Sequence, residues 1–267
     1  MKYFFPFSVF VAACAFPMHQ KMDVSPQSQY SRTQKEQYTS HWDIYAGPHF
    51  NYIHMRFNNS DYLDGYAGGV TAGVGYDARW FFTNLDFEGT WNASSITSDS
   101  NQRSDISEYF LDWNIGPKIM FSEDRFSLGF YSGFGWDQFN NYQDPNGVNL
   151  KYAYDKLFIP LGLNFTILVN RYFEWSLQAE WRPDVYSRLE ISNTHFNNHC
   201  QSAFRVQSPF KINFSSCCSG GFVNIIPFYD WSEYGAAQER ISTGAIFKVP
   251  ALYRWYLGLR VLLGYAF

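Results

Sequence analysis

The chain has 267 residues, a formal net charge of −4 and 21% aromatic residues, with 27 Phe, 20 Tyr and 9 Trp, yet its mean hydropathy is only −0.30. The acidic balance disfavours nucleic acid as a partner. No apolar run after the start reaches the roughly 18 residues that a membrane-spanning helix needs. So many rings at so low a hydropathy exceed what a soluble core requires and point to surfaces where amphipathic rings line a membrane interface.

Residues 1–15 read as a signal peptide: Lys2 supplies the positive charge, and Tyr3 to Ala13 is apolar apart from Ser8, with Pro6 inside. Two endings stay open. Ala13-Cys14-Ala15 fits small-residue cleavage, and Val11-Ala12-Ala13-Cys14 resembles the lipobox of bacterial lipoproteins, which implies lipidation of Cys14. Residues 16–41 are polar, aperiodic and rich in Gln and Ser, the composition of a disordered periplasmic tail. Cys14, Cys200, Cys217 and Cys218 are the only cysteines. Without Cys14 three remain, which in an oxidising compartment predicts one bridge and one spare thiol. Adjacent Cys217 and Cys218 are poorly placed to pair with each other.

From Trp42 onward the chain alternates with period two, the signature of strands with one apolar face. Trp42, Ile44, Ala46, Pro48, Phe50 and Tyr52 share a face against Asp43, Gly47, His49 and Asn51. A polar loop is predicted over 56–66. The second strand sets Val70, Ala72, Val74 and Tyr76 against Gly69, Thr71, Gly73, Gly75 and Asp77, and the third sets Phe81, Leu85, Phe87 and Trp91 against Asn84, Asp86, Glu88 and Asn92. After a predicted loop over 93–105, the fourth sets Tyr109, Leu111, Trp113, Ile115, Ile119 and Phe121 against Glu108, Asp112, Asn114 and Lys118. A short turn at 122–125 leads to the fifth, with Phe126, Leu128, Phe130, Phe134 and Trp136 opposing Gly129, Gly133, Gly135 and Asp137. Another loop spans 138–150. The sixth carries Leu157, Ile159, Leu161, Leu163, Phe165 and Ile167, and the seventh Phe173, Trp175, Leu177, Ala179 and Trp181. Long polar loops thus alternate with tight turns.

Residues 192–252 admit two readings. As one long loop they give eight strands. Yet Phe204, Val206, Phe210, Ile212 and Phe214 alternate with Arg205, Gln207, Lys211 and Asn213, and Val223, Ile225, Tyr229 and Trp231 follow as a ninth strand whose inner face is spoiled by Phe222, Ile226 and Phe228. A structureless loop of about 60 residues is itself improbable, so ten strands are preferred, with eight as the alternative. The closing strand is placed from near Phe247. Its last stretch sets Tyr253, Trp255, Leu257, Leu259, Val261, Leu263, Tyr265 and Phe267 against Arg254, Tyr256, Gly258, Arg260, Leu262, Gly264 and Ala266.

A terminal Phe preceded by apolar residues at every second position resembles the closing strand of bacterial outer-membrane β-barrels, in the small OmpA/OmpX-like class. The resemblance covers 42–267 and implies an all-β fold: a transmembrane antiparallel up-and-down β-barrel in the cell outer membrane. It also implies outer-membrane lipid as surroundings and a barrel-assembly machinery that reads Tyr265 and Phe267. No cofactor is expected, and the implied role is structural or adhesion-like through the loops, with an unidentified surface ligand. A narrow solute or ion pore is the second reading and a membrane-embedded hydrolase the third.

Inward rows carry Asp86, Glu88, Glu108, Asp112, Lys118, Lys156, Glu174, Glu180, Arg182, Arg205, Lys211, Arg254 and Arg260. Lone buried charges are costly, so these are expected to pair, acids of the third, fourth and seventh strands with bases of the closing strand. His195, His199 and Cys200, with Cys217 and Cys218, are zinc-ligand types, but their spacing matches no strong motif; the expectation is a loop with a disulfide and no metal. Outer-membrane lipid hydrolases use a neighbouring His and Ser, which His49, His54, His195 and His199 lack. The omptin proteases have ten strands and need acids and a His at the outer rim. Asp61, Asp64 and His54 match by type only, no omptin motif is present, and no catalytic residue is assigned.

Overall fold

The computed structural model describes residues 40–57, 62–97, 103–122, 125–143, 150–191, 194–197, 200–214, 220–240, 246–249 and 251–267. The signal peptide with Cys14 and nearly all of the predicted tail therefore lie outside the described residues. Those described form a closed antiparallel barrel of ten strands. The first five are single elements: β1 (His41–Phe57), β2 (Tyr62–Asp77), β3 (Phe81–Thr97), β4 (Arg103–Phe121) and β5 (Phe126–Gln143). The sixth is β6 (Leu150–Phe158) continued by β7 (Leu161–Asn170), and the seventh is β8 (Phe173–Trp181) continued by β9 (Asp184–Ile191). The eighth runs through β10 (Thr194–Asn197), β11 (Cys200–Gln207) and β12 (Phe210–Asn213); the ninth is β13 (Gly221–Tyr234). A separate hairpin of β14 (Ala237–Arg240) and β15 (Ile246–Val249) precedes the tenth, β16 (Leu252–Ala266). Pairing of β16 with β1 closes the ring. At that seam Trp42 and Phe267 exchange both backbone hydrogen bonds, each 2.9 Å.

Prolines explain where strands break. Pro160, Pro183 and Pro209 lie between β6 and β7, β8 and β9, and β11 and β12, because proline has no N–H for the ladder. Pro48 and Pro117 are accommodated inside β1 and β4 by skipped ladder pairs: Ala46↔Leu263 is followed by His49↔Arg260, and Ile115↔Ser132 by Lys118↔Gly129. Each proline follows a glycine onto which the neighbouring backbone closes. A Cβ at Gly47 would lie 2.0 Å from the Val261 carbonyl oxygen, and one at Gly116 1.8 Å from that of Phe130.

One row of each strand faces outward and is apolar. Phe50 is 62% exposed, Leu263 64% and Phe267 66%; a continuous apolar girdle of this kind belongs in lipid, not water. The predicted faces of β1 to β5 and of the sixth and seventh strands are the observed ones, since period-two alternation assigns a strand's sides once its pairing is fixed.

Several boundaries need correction. The predicted loops over 56–66, 93–105 and 138–150 are largely strand: β1 reaches Phe57, β2 starts at Tyr62, β3 reaches Thr97, β4 starts at Arg103, and β5 reaches Gln143. The wall pairs on past the apolar girdle, where both faces accept polar residues and alternation no longer reports strand. Thr194–Asn197, within the stretch read as a loop, is strand β10 and pairs with β9. The closing strand starts at Leu252, not Phe247; Ile246–Val249 belongs to the β14–β15 hairpin, and the sequence sets Pro250 between the two. Cys200 opens β11 at the end of the barrel away from the Trp42–Phe267 seam, whereas Phe214 and Gly220 lie at the seam end. Cys217 and Cys218, and with them the predicted bridge, lie outside the described residues.

Candidate functional site

The lumen has three levels. At the seam end is a polar cavity of about 330 Å³, lined among others by Asp43, Asn84, Asp86, Asn114, Lys118, Asn164, Gln178 and Lys211. Its charges nearest the seam are paired: Lys118 with Asp77, and Lys211 Nζ with Asp43 at 3.0 Å. Glu174 lies opposite Lys211 in the β12–β8 ladder.

Above the cavity is a belt of buried ions. Arg182 Nη1 donates to Asp230 Oδ2 at 2.7 Å and its Nε to Glu180. Arg205 donates to the same Asp230 oxygen and to Glu88 Oε1, both at 2.8 Å. Arg260 Nη2 lies 2.8 Å from that Glu88 oxygen, and its Nη1 donates to Gln207 at 2.8 Å. One step further from the seam, Arg254 donates to Asp137 at 2.7 Å and lies 3.2 Å from Glu108, with Lys156 3.7 Å from Asp137. His49, fully buried, is held between the hydroxyls of Thr71 at 3.0 Å and Thr90 at 2.9 Å.

The aromatic residues that spoil the inner face of β13 have a place here. Arg260 stacks 4.2 Å from the Phe228 ring centre and Lys211 4.2 Å from that of Phe222. Phe110 lies under both Arg205 at 4.3 Å and Arg182 at 4.6 Å. Such faces stabilise desolvated cations and fill the space between them.

The third level is apolar. Ile53, Met55, Leu63, Ile106, Phe139, Leu189, Phe196 and Leu252 form one buried cluster over the belt, and Val249 of the β14–β15 hairpin joins it. Sequence reasoning missed this cap. The signal was present in β1, where the inward row turns from His49 and Asn51 to Ile53 and Met55. It also missed Asp230, which accepts from two guanidiniums out of a row that also carries Phe222, Ile226 and Phe228.

The predicted interior charges lie in the lumen: Asp86, Glu88, Glu108, Asp112, Lys118, Lys156, Glu174, Glu180, Arg182, Arg205, Lys211, Arg254 and Arg260. Tyr265 and Phe267 end the outward row of β16 at the seam. His195 accepts from Arg188 Nη2 at 2.6 Å, with Glu190 3.6 Å away. Among the described residues no group of His, Cys, Asp and Glu is placed to hold a metal; His199, Cys217 and Cys218 lie outside them. His54 does meet Asp64, at 2.6 Å, with the Tyr52 hydroxyl on the same oxygen at 2.8 Å. Both belong to the outward rows of neighbouring strands, under Tyr62 and Trp255. Asp61 lies outside the described residues.

No protein-family model and no curated protein sequence matches the chain. Among solved structures, the barrel is similar to the outer membrane protease OmpT from Escherichia coli, with a TM-score of 0.62 at 11% identity over 88% of this chain and 100% of that one. The chain has the fold of the bacterial outer-membrane β-barrels. The translocator domain of the autotransporter NalP from Neisseria meningitidis also aligns, at a TM-score of 0.47 and 9% identity, over 87% of this chain and 91% of that one. Within outer-membrane barrels the outward girdle faces lipid, and the long connections lie opposite the seam.

Proposed function

We propose that this outer-membrane barrel has a shut lumen and works through the end opposite the seam, as a structural and surface-contact protein rather than a catalyst. The observation that carries this reading is the double closure of the interior, a belt of paired ions beneath an apolar cap. Each level alone obstructs a barrel of this size, since small barrels are just wide enough for side chains to fill. The outer-membrane setting makes lipid the partner of the outward girdle and the barrel-assembly machinery the reader of Tyr265 and Phe267. The surface ligand would meet the β14–β15 hairpin and the projecting ends of β9 and β10. His54 and Asp64 share one outward wall, an arrangement suited to an interfacial ion pair, and no nucleophile is assigned beside them.

The test expresses the protein in a heterologous outer membrane, with and without residues 237–249. Wild type should increase binding of the cells to surfaces, the trimmed form should not, and neither should admit small dyes. Dye entry with the wild type would favour the second reading, a narrow pore, which the 330 Å³ cavity supports.

A further inference from the structure

Asp86 of β3 and Asp112 of β4 are direct partners in the ladder and both point into the lumen. Like charges opposite one another in a sheet destabilise it, so this pair calls for a compensating group. The nearby guanidiniums supply it only in part, because each is bonded first to other groups and Arg182 reaches Asp112 only at ion-pair distance. Arg260 and Arg205 are engaged by Glu88, Gln207 and Asp230, and Arg182 by Glu180 and Asp230. The Nη2 of Arg182 stops 3.9 Å from Asp112 Oδ2, too long for a hydrogen bond. Asp86 accepts the Tyr45 hydroxyl at 2.5 Å, a neutral donor.

A second observation concerns a different side chain. Asn114, next on the inward row of β4, is only 8% exposed, and its Oδ1 has no donor; neither has Oδ1 of Asp112, a residue 4% exposed. Both residues line the same polar cavity of about 330 Å³, as do the rings of Tyr131 and Phe82. The cavity therefore offers unpartnered acceptors on Asp112 and Asn114, a lining with more carboxylates than cationic groups, and aromatic walls, in a space larger than a bare ion fills.

We propose that this cavity is a binding site for a small organic cation carrying a primary ammonium group. Such a group brings three donors and no acceptor, matching Asp112 Oδ1, Asn114 Oδ1 and the free lone pairs of Asp86. Its methylenes lie against Tyr131 and Phe82. A metal ion is the weaker match, because no three ligating side chains converge among the described residues. Entry is from the seam end.

The test is calorimetric titration of the refolded full-length barrel with 1,4-diaminobutane, against sodium and magnesium chlorides at matched ionic strength. Saturable binding of the diamine alone is expected. Asp112→Asn should weaken it roughly tenfold to a hundredfold, the range for a lost charge-assisted hydrogen bond, and Asn114→Ala by a smaller factor. Absence of saturable diamine binding, binding of the metal ions instead, or unchanged affinity in Asp112→Asn would each overturn the proposal. Absent binding is also the outcome if the pair simply shares a proton. Should Asp112→Asn fail to refold, nuclear Overhauser contacts from isotope-labelled diamine to Tyr131 and Phe82 of the wild type decide the matter. Their absence overturns the site.

Discussion

Replacing Arg254 by Met should destabilise the barrel by about 3–5 kcal/mol, the cost of breaking a buried ion pair from one side. Arg254 is 3% exposed, bonds Asp137 at 2.7 Å and lies 3.2 Å from Glu108. Methionine fills much of its volume among Phe139, Tyr234 and Tyr256, so the packing loss is small and the charge loss dominates. The two carboxylates do not suffer equally. Asp137 retains Lys156 at 3.7 Å, whereas Glu108 loses the one cation within ion-pair distance of it among the described residues. Adding Glu108→Gln removes that stranded charge and should recover most of the loss, leaving about 1–2 kcal/mol for the hydrogen bond to Asp137 that is gone. The assay is equilibrium urea unfolding from lipid vesicles, followed by Trp fluorescence. A cost below about 1 kcal/mol for Arg254→Met, or no recovery in the double variant, would refute the view that the belt is energetically a set of mutually neutralised ions.

We predict that the protein is heat-modifiable: a closed barrel leaves no backbone group unpaired in lipid, so unboiled and boiled samples should migrate differently, and equal mobility would count against closure. Deleting Phe267 removes both backbone bonds to Trp42, each worth several kcal/mol in lipid; assembled barrel should fall sharply, while Ala266→Ser should assemble normally, as read by surface protease accessibility. Gly116→Ala places a Cβ 1.8 Å from the Phe130 carbonyl oxygen and should cost about 1–3 kcal/mol, visible as a lower urea midpoint. Asp64→Asn should change stability by less than about 1 kcal/mol, because the His54–Asp64 pair is partly exposed and such pairs contribute little.

How far the sequence could be read depended on which physical signal each segment carried. Within the lipid-facing girdle, alternation had to be strict, and rows such as Leu257, Leu259, Val261 and Leu263 identified both strand and face. Beyond the girdle that constraint lapses. Tyr62–Tyr66 and Thr194–Asn197 are strands held by backbone pairing with the neighbouring strand, which no apolar alternation reveals. The residues of the belt were legible individually, since charges on inward rows must be buried, but their partners were not. The expectation that bases of the closing strand meet acids of the third, fourth and seventh strands describes Arg260 with Glu88 and Arg254 with Glu108, but Glu180 of the seventh strand pairs with Arg182, two residues along its own strand. It says nothing of Asp230, whose place between Arg182 and Arg205 depends on β13 lying beside β11. The apolar cap escaped notice because inward apolar residues look like errors in a barrel pattern until the lumen is known to be narrow.

Single-channel recording from the purified protein in planar bilayers tests the central claim most directly. A lumen closed by the Arg182–Asp230–Arg205–Glu88–Arg260 chain and again by the cap around Ile53, Phe139 and Leu252 should give no stepwise conductance at either polarity. Steady, ohmic unitary steps from the wild-type barrel would contradict it.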